Sequence, residues 1–284
     1  MIIGHQKQIK FLQKMAESGK IPHALLFSGP SQLGKKTIAF HFISRLLGEP
    51  PTKILGGGHP DFILIEPIKK QIQIDQIREL SWRLSLKPMK APLKTAIIDE
   101  AHLMTKEAQN CFLKTLEEPK GNTLLILITE YPNFLLPTII SRCEIIKFHP
   151  IKTEEIRKFL SEKKISKEEI EKIIWFSLGR PGQVFDFLKN PEKLKEEEFK
   201  IKELIKICNS PLFSRFQYAK DLSANESLKE ILNIWLIYFR KALISQKKVA
   251  KIKNILKILQ RVIFLMSTTN INQRLALEIL MLEL

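Results

Sequence analysis

Apolar and polar positions change their period along this chain, and the change divides it. From His23 to Phe148 short apolar runs of strand length alternate with stretches whose apolar positions recur every three or four residues. "ALLF" (24–27) predicts a buried strand that runs into a Gly-Pro turn, and "KKTIAFHFISRLL" after it has helical spacing. "DFILIEP" predicts a strand closed by Pro67, and "IDQIRELSWRLSL" an amphipathic helix opened by Asp75. "KTAIIDE" reads as a strand ending in two acids. "TKEAQNCFLKTLEE" reads as a helix with Thr105 as N-cap and Glu107 in its first turn, and "NTLLILIT" as a further strand. Such alternation predicts an α/β domain over residues 1–148, a parallel sheet with helices on both faces.

From Thr153 onward strand signals stop. Helical patterns punctuated by "LGRPGQ", "KNPEK" and "NSPLF" predict a small helical domain over 149–207 and an all-helical domain over 208–284. Trp82, Trp175 and Trp235 sit in helical apolar patterns and read as core.

Composition narrows the function classes. At 284 residues the chain is long enough for two or three cores. No apolar run approaches the length of a membrane span, and "MIIGHQKQIKF" lacks the pattern of a secretory leader, so the expectation is a cytoplasmic protein without membrane contact. The net charge of +16 fits nucleic acid as a neighbour without proving contact. On the helix candidate "QKKVAKIKNILKILQR", Lys253, Lys257 and Arg261 fall on one face, which reads as a solvated face or, less simply, a DNA contact. Cys111, Cys143 and Cys208 are widely spaced and form no Cys-x-x-Cys pair; they read as buried or semi-buried thiols.

Chemistry concentrates in three places. "GPSQLGKKT" places Gly29, Gly34 and Lys35 in a Gly-x-x-x-x-Gly-Lys loop between strand and helix, which offers backbone N–H groups and an ammonium to phosphate. The next position ordinarily carries a hydroxyl that ligates magnesium, but here it is Lys36, and Thr37 lies one helical step further round. At the end of "TAIIDE", Asp99 is suited to a metal-bound water and Glu100 to polarising a nucleophile; the plainer alternative is that both acids favour the following helix N-terminus. Thr129, closing "LLILIT", is a polar strand end able to meet phosphate.

"DEAHLMTKEAQNCFLKTLEEP", "LILIT" and "LLPTIISRCEIIKF" resemble the AAA+ clamp-loader subunits of replication, a family that includes bacterial DNA polymerase III loader subunits and replication factor C. Within it, "IPHALLFSGPSQLGKKT", "HPDFILIEP" and "IDQIREL" are most similar to the delta-prime type. The resemblance implies an AAA+ P-loop sheet domain, a helical lid and a helical collar. It implies partners too: other loader subunits in a hetero-oligomeric ring, the sliding clamp and primed DNA. By the same resemblance Ser141-Arg142-Cys143 is the motif whose arginine, Arg142, reaches a neighbour's ATP in trans.

Three departures qualify it. Zinc-binding cysteines are absent from "LLGEPPTKILGGGHPD", so no zinc is expected, and a separate metal at His59 and Asp61 is not expected either. Gly182 stands at the family's sensor-arginine position, with Arg180 out of register, and Lys36 is the third departure. The expectation is a degenerate nucleotide site, made of Gly29, Gly34, Lys35, Thr37, Asp99, Glu100 and Thr129, that takes ATP or ADP weakly, with or without magnesium, and hydrolyses poorly. Two rivals stand beside it: an ATP-hydrolysing loader motor and a stand-alone basic DNA-binding protein.

Overall fold

Five short strands, four of them largely apolar and buried, set the architecture of the N-terminal unit. The computed structural model describes residues 2–55, 59–163, 165–225, 227–244, 249–268 and 271–284. In chain order the elements are α1 (Gln6–Ser18), β1 (Ala24–Ser28), α2 (Lys35–Leu47), α3 (Pro51–Leu55), β2 (Phe62–Ile65), α4 (Ile74–Ser85), β3 (Lys94–Ile98), α5 (Lys106–Glu117), β4 (Thr123–Thr129), α6 (Pro137–Ile140), β5 (Glu144–Lys147), α7 (Thr153–Ser161), α8 (Lys167–Ser177) and α9 (Pro181–Lys189). The strands form one parallel sheet in the order β2-β3-β4-β1-β5.

Strand period explains the two cores. Leu25, Phe27, Ile97, Ile126 and Ile128 face one side and pack with Leu12 of α1 and Ile38, Phe42 and Ile43 of α2. Their alternates Leu26, Ala96, Ile98, Leu125 and Leu127 face the other side, against Ile77 and Leu80 of α4 and Ala108 and Phe112 of α5. Helices on both faces are thus required by strands that are apolar on both faces.

The expected helix N-cap is present: the Thr105 side chain accepts the Ala108 N–H, and Glu107 lies in the first turn of α5. The start of α4 differs from expectation. Gln73, not Asp75, caps it, in a reciprocal box with Gln76, and Asp75 lies in the first turn. Trp82 is a second correction. It is 61% exposed, because α4 buries Ile77, Leu80 and Leu84, and a residue five places after Ile77 is turned about 140° from it. Trp175 is half-buried and Trp235 fully buried.

Contacts divide the chain into Met1–Asp186 and Phe187–Leu284. The second unit comprises the end of α9 with α10 (Pro191–Cys208), α11 (Leu212–Ser223), α12 (Leu228–Ile244), α13 (Val249–Thr268) and α14 (Gln273–Glu283). Its core joins Leu204 of α10 to Ala219, Leu232, Trp235, Leu259, Leu277 and Met281. Lys253, Lys257 and Arg261 are exposed on α13, opposite the buried Ile255, Leu256, Leu259 and Val262. The first three residues of the basic stretch lie outside the described residues.

All three cysteines are free and half-buried, Cys111 and Cys143 against the sheet core and Cys208 against the C-terminal core. Burial pushes the Cys143 thiol up to about 12, so it stays protonated. Among the described residues no helix is long and apolar enough to cross a membrane.

Candidate functional site

The register of the sheet brings three strand ends to one edge. Ser28 pairs with Thr129 across β1 and β4, and Ile98 with Leu127 across β3 and β4, so Gly29, Asp99 and Thr129 leave the sheet side by side. Ligand sites of parallel α/β folds gather at these carboxyl ends. A cleft of about 290 Å³ lies there, its walls including Gly34, Lys35, Lys36, Thr37, Asp99, Glu100, Thr129 and Gly182.

The loop from Gly29 to Gly34 bends through left-handed backbone at Gly29 (φ 150°), Gln32 (φ 59°) and Gly34 (φ 84°). Gly29 permits close approach: a Cβ there would lie 2.2 Å from the Phe148 carbonyl oxygen. Its N–H donates to the Thr129 carbonyl at 3.2 Å, which ties the loop to β4. Lys35 opens α2 and is only 5% exposed. Its Nζ donates to the carbonyls of Gly29 at 2.5 Å and Pro30 at 2.6 Å, so the ammonium is folded over its own loop. Burial holds its pKa below the usual lysine value, opposed by the nearby Glu130 and Asp99 carboxylates.

Lys36 points to the acids. Its Nζ lies 2.5 Å from Glu66 Oε1 and 2.9 Å from Asp99 Oδ2. Burial would lower its pKa, but the hydrogen bonds to Glu66 and Asp99 outweigh burial and raise it above the usual value. Asp99 Oδ1 meanwhile accepts the Glu100 N–H at 3.0 Å. Both oxygens of the strand-end aspartate are therefore engaged. With no hydroxyl at position 36 and an ammonium on Asp99, these side chains do not fit a magnesium ion, whose oxygen ligands must close to about 2.1 Å. Among the described residues no cluster of three metal-ligating side chains occurs.

Thr129 is buried, and its Oγ1 accepts the Tyr131 N–H at 3.1 Å and shares a hydrogen bond of 3.3 Å with His102 Nδ1. Burial lowers the pKa of His102, against the pull of Glu100 and Glu130. Gly182 closes the opposite wall: its N–H donates to the Gln32 carbonyl at 2.7 Å, and a Cβ would stand 2.8 Å from that oxygen. Arg142 is not among the cleft residues. It follows α6, where Nη1 donates to the Thr138 carbonyl at 3.1 Å and Nη2 lies 2.8 Å from Glu117 Oε1.

Sequence reasoning thus named Gly34, Lys35, Thr37, Asp99, Glu100 and Thr129, which line one cleft, and Gly29, which shapes its loop. It missed Glu66, His102 and Glu130. Glu66 carried a readable signal, since an acid closing "FILIEP" occupies the same kind of strand end as Asp99. His59 and Asp61, set aside as metal ligands, hold backbone instead. His59 Nδ1 accepts the Asp61 N–H, and the buried Asp61 carboxylate accepts the N–H groups of Met89, Lys90 and Ala91.

Comparison with known proteins places this geometry. The family described as "DNA polymerase III, delta subunit" matches residues 4–152, more than half the chain. DNA polymerase III subunit delta′ of Bacillus subtilis is 30% identical over 224 residues, which cover 75% of this chain and 68% of that protein. Subunit delta′ of Pseudomonas aeruginosa is 36% identical over 135 residues, covering 43% of this chain and 41% of the relative's length. Among solved structures, a DNA polymerase III gamma subunit-related protein from Thermotoga maritima aligns over 97% of both chains, with TM-score 0.58 and 19% identity, a likeness of fold alone. The family match over residues 4–152 and the delta′ relative of Bacillus subtilis identify the chain, an AAA+ sheet domain with a helical C-terminal part, as a member of the DNA polymerase III delta-subunit family, of the delta-prime type.

Proposed function

We propose that this chain is a delta-prime-type subunit of a clamp loader: it assists ATP-driven loading of a sliding clamp onto primed DNA, hydrolyses ATP poorly itself, and supplies Arg142 in trans to a neighbouring ATPase subunit. Its partners on this reading are the other subunits of a hetero-oligomeric ring, the clamp and the DNA. The division of labour follows 1–148 as the AAA+ domain, 149–207 as lid and 208–284 as collar.

One observation carries the non-motor assignment: the ammonium of Lys36 bridges Glu66 and Asp99 where a hydrolytic site would use a metal. Two more support it. Gly182 offers no side chain to a γ-phosphate, and Arg142 lies outside the cleft of its own chain, free of any duty there. A guanidinium presented to a neighbour's γ-phosphate neutralises charge that develops during transfer.

The rival motor reading draws on Lys35, Asp99 and Glu100, which line the same cleft. It predicts turnover by the purified chain at about 1 per second or faster, whereas the non-motor reading predicts far less. Lys36→Thr alone leaves turnover low, because position 182 still lacks its arginine. The stand-alone DNA-binding reading draws on the exposed Lys253, Lys257 and Arg261 and predicts salt-sensitive DNA binding without partners.

The deciding experiment reconstitutes the loader with Arg142→Ala. Assembly is expected to be unchanged, while clamp loading and ATP turnover fall. A mutant loader that works at the unmutated rate removes the finger assignment, and a chain that never joins loader subunits removes the loader assignment.

A further inference from the structure

The cation of this cleft is part of the polypeptide. In a phosphate loop of usual composition, the hydroxyl after the lysine and the strand-end aspartate hold a divalent ion that bridges the terminal phosphates. Here position 36 supplies a cation instead of a ligand. Lys36 Nζ stands between Asp99 Oδ2 at 2.9 Å and Glu66 Oε1 at 2.5 Å, and Asp99 Oδ1 is occupied by the Glu100 N–H. We propose that the Lys36 ammonium takes the place of the divalent metal, so that the cleft takes a nucleoside diphosphate without magnesium. The inference rests on reading the cleft as a nucleotide site, as above.

Geometry and charge support it together. A magnesium ion needs near-octahedral oxygen ligands at short range, and the strand-end carboxylates beside the loop, Asp99 and Glu66, already face an ammonium; an incoming dication would meet like charge at contact distance. Displacing Lys36 would also remove the pairing of both acids at once. An ammonium has three N–H groups, and Lys36 uses two of them on these acids while itself lining the cleft, which leaves one for a phosphate oxygen. The remaining phosphate contacts are those of any such loop: the unpaired backbone N–H groups at the start of α2 and the Lys35 ammonium, once it turns from its own loop carbonyls.

The same account selects the ligand. Two lysines replace a lysine and a dication, so the cleft has one positive charge fewer than a metal-loaded site. Its lining also carries Glu100 and Glu130. A metal-free triphosphate brings one more negative charge than a diphosphate to that surface, and the diphosphate is therefore favoured.

The test titrates ADP, then ATP, into the full-length protein by calorimetry, in excess EDTA and again in excess magnesium. For the unmutated chain the ADP dissociation constant is expected to agree between the two conditions within about twofold, with ATP weaker in EDTA, whereas metal–nucleotide coupling in an ordinary site would separate them by about tenfold or more. Lys36→Thr is expected to lose about tenfold in EDTA and to recover it in magnesium. Any of three results overturns the proposal: magnesium strengthens ADP binding by the unmutated chain about tenfold, ADP gives no binding in either condition, or Lys36→Thr behaves like the unmutated chain in both. Lys36 is partly exposed on the first turn of α2, and a circular dichroism melt confirms that its variant is folded. None of these results touches incorporation into a loader, which is read separately by reconstitution.

Discussion

Arg142, just after α6, and Glu117, the last residue of α5, are joined Nη2 to Oε1 at 2.8 Å, while Arg142 Nη1 rests on the Thr138 carbonyl. The pair is tied at one end to the motif "LKTLEEP" and at the other to "SRC", so the two stretches that mark the family in sequence touch in space. The side chains are 37% and 48% exposed, and an exposed pair contributes little to folding. Arg142→Ala is therefore expected to change unfolding free energy by less than about 1 kcal/mol in urea denaturation. A loss above about 2 kcal/mol would make Arg142 a structural residue and weaken its use as a finger.

Asp61 is the buried anchor of the segment before β3. Its carboxylate gathers the N–H groups of Met89, Lys90 and Ala91 at 2.7–3.0 Å. Burial alone would raise its pKa, but the three N–H donors outweigh burial and hold it below the usual carboxylate value. The folded-state value is thus lower than the unfolded one, so the stabilisation is present above about pH 4 and is lost as pH falls through the folded value. Asp61→Ala is expected to lower stability by about 3 kcal/mol at neutral pH, since three donors lose their acceptor. Its stability should also fall less steeply than that of the unmutated chain on acidification below about pH 4. Equal acid sensitivity of both chains would contradict this.

Gly29 has no room for a side chain. At φ 150° an added Cβ would stand 2.2 Å from the Phe148 carbonyl oxygen, which is backbone and cannot swing away. Gly29→Ala must therefore separate the loop from the end of β5 and disturb the Gly29 N–H to Thr129 bond. A loss of at least about 2 kcal/mol is expected on thermal or urea unfolding, and a neutral result would mean that the loop is seated differently.

Legibility followed how local each signal was. The strands of residues 24–27 and 123–129 were readable because burial on both sheet faces leaves continuous apolar runs, and the Thr105 cap because its partner is three residues away. Trp82 misled because a large apolar residue entered the helical pattern without lying on the buried face set by Ile77, Leu80 and Leu84. Glu66 and Asp99 are 33 residues apart, and only the pairing of β2 with β3 brings both to Lys36. That Lys36 breaks the loop motif was visible in the sequence; that its ammonium spans two carboxylates required the sheet.

Cutting the chain before or after α10 has different consequences. Leu204 is fully buried and Ile201 nearly so, and Leu204 belongs to the same core as Ala219, Leu232, Trp235 and Leu277. A fragment ending at residue 207 keeps α10 but removes the helices that cover these residues, leaving an apolar stripe bare on the helix surface. A fragment ending at Lys189 removes α10 as well and bares no part of that core. Large exposed apolar patches drive association. The shorter fragment is accordingly expected to be monodisperse in size-exclusion chromatography with little binding of a hydrophobic dye, and the 1–207 fragment to self-associate and bind the dye. Neither should enter a loader stably if residues 208–284 form the collar. Monodisperse, dye-silent behaviour of 1–207 would show that α10 finds cover without the C-terminal helices, and normal incorporation of either fragment would refute the collar role.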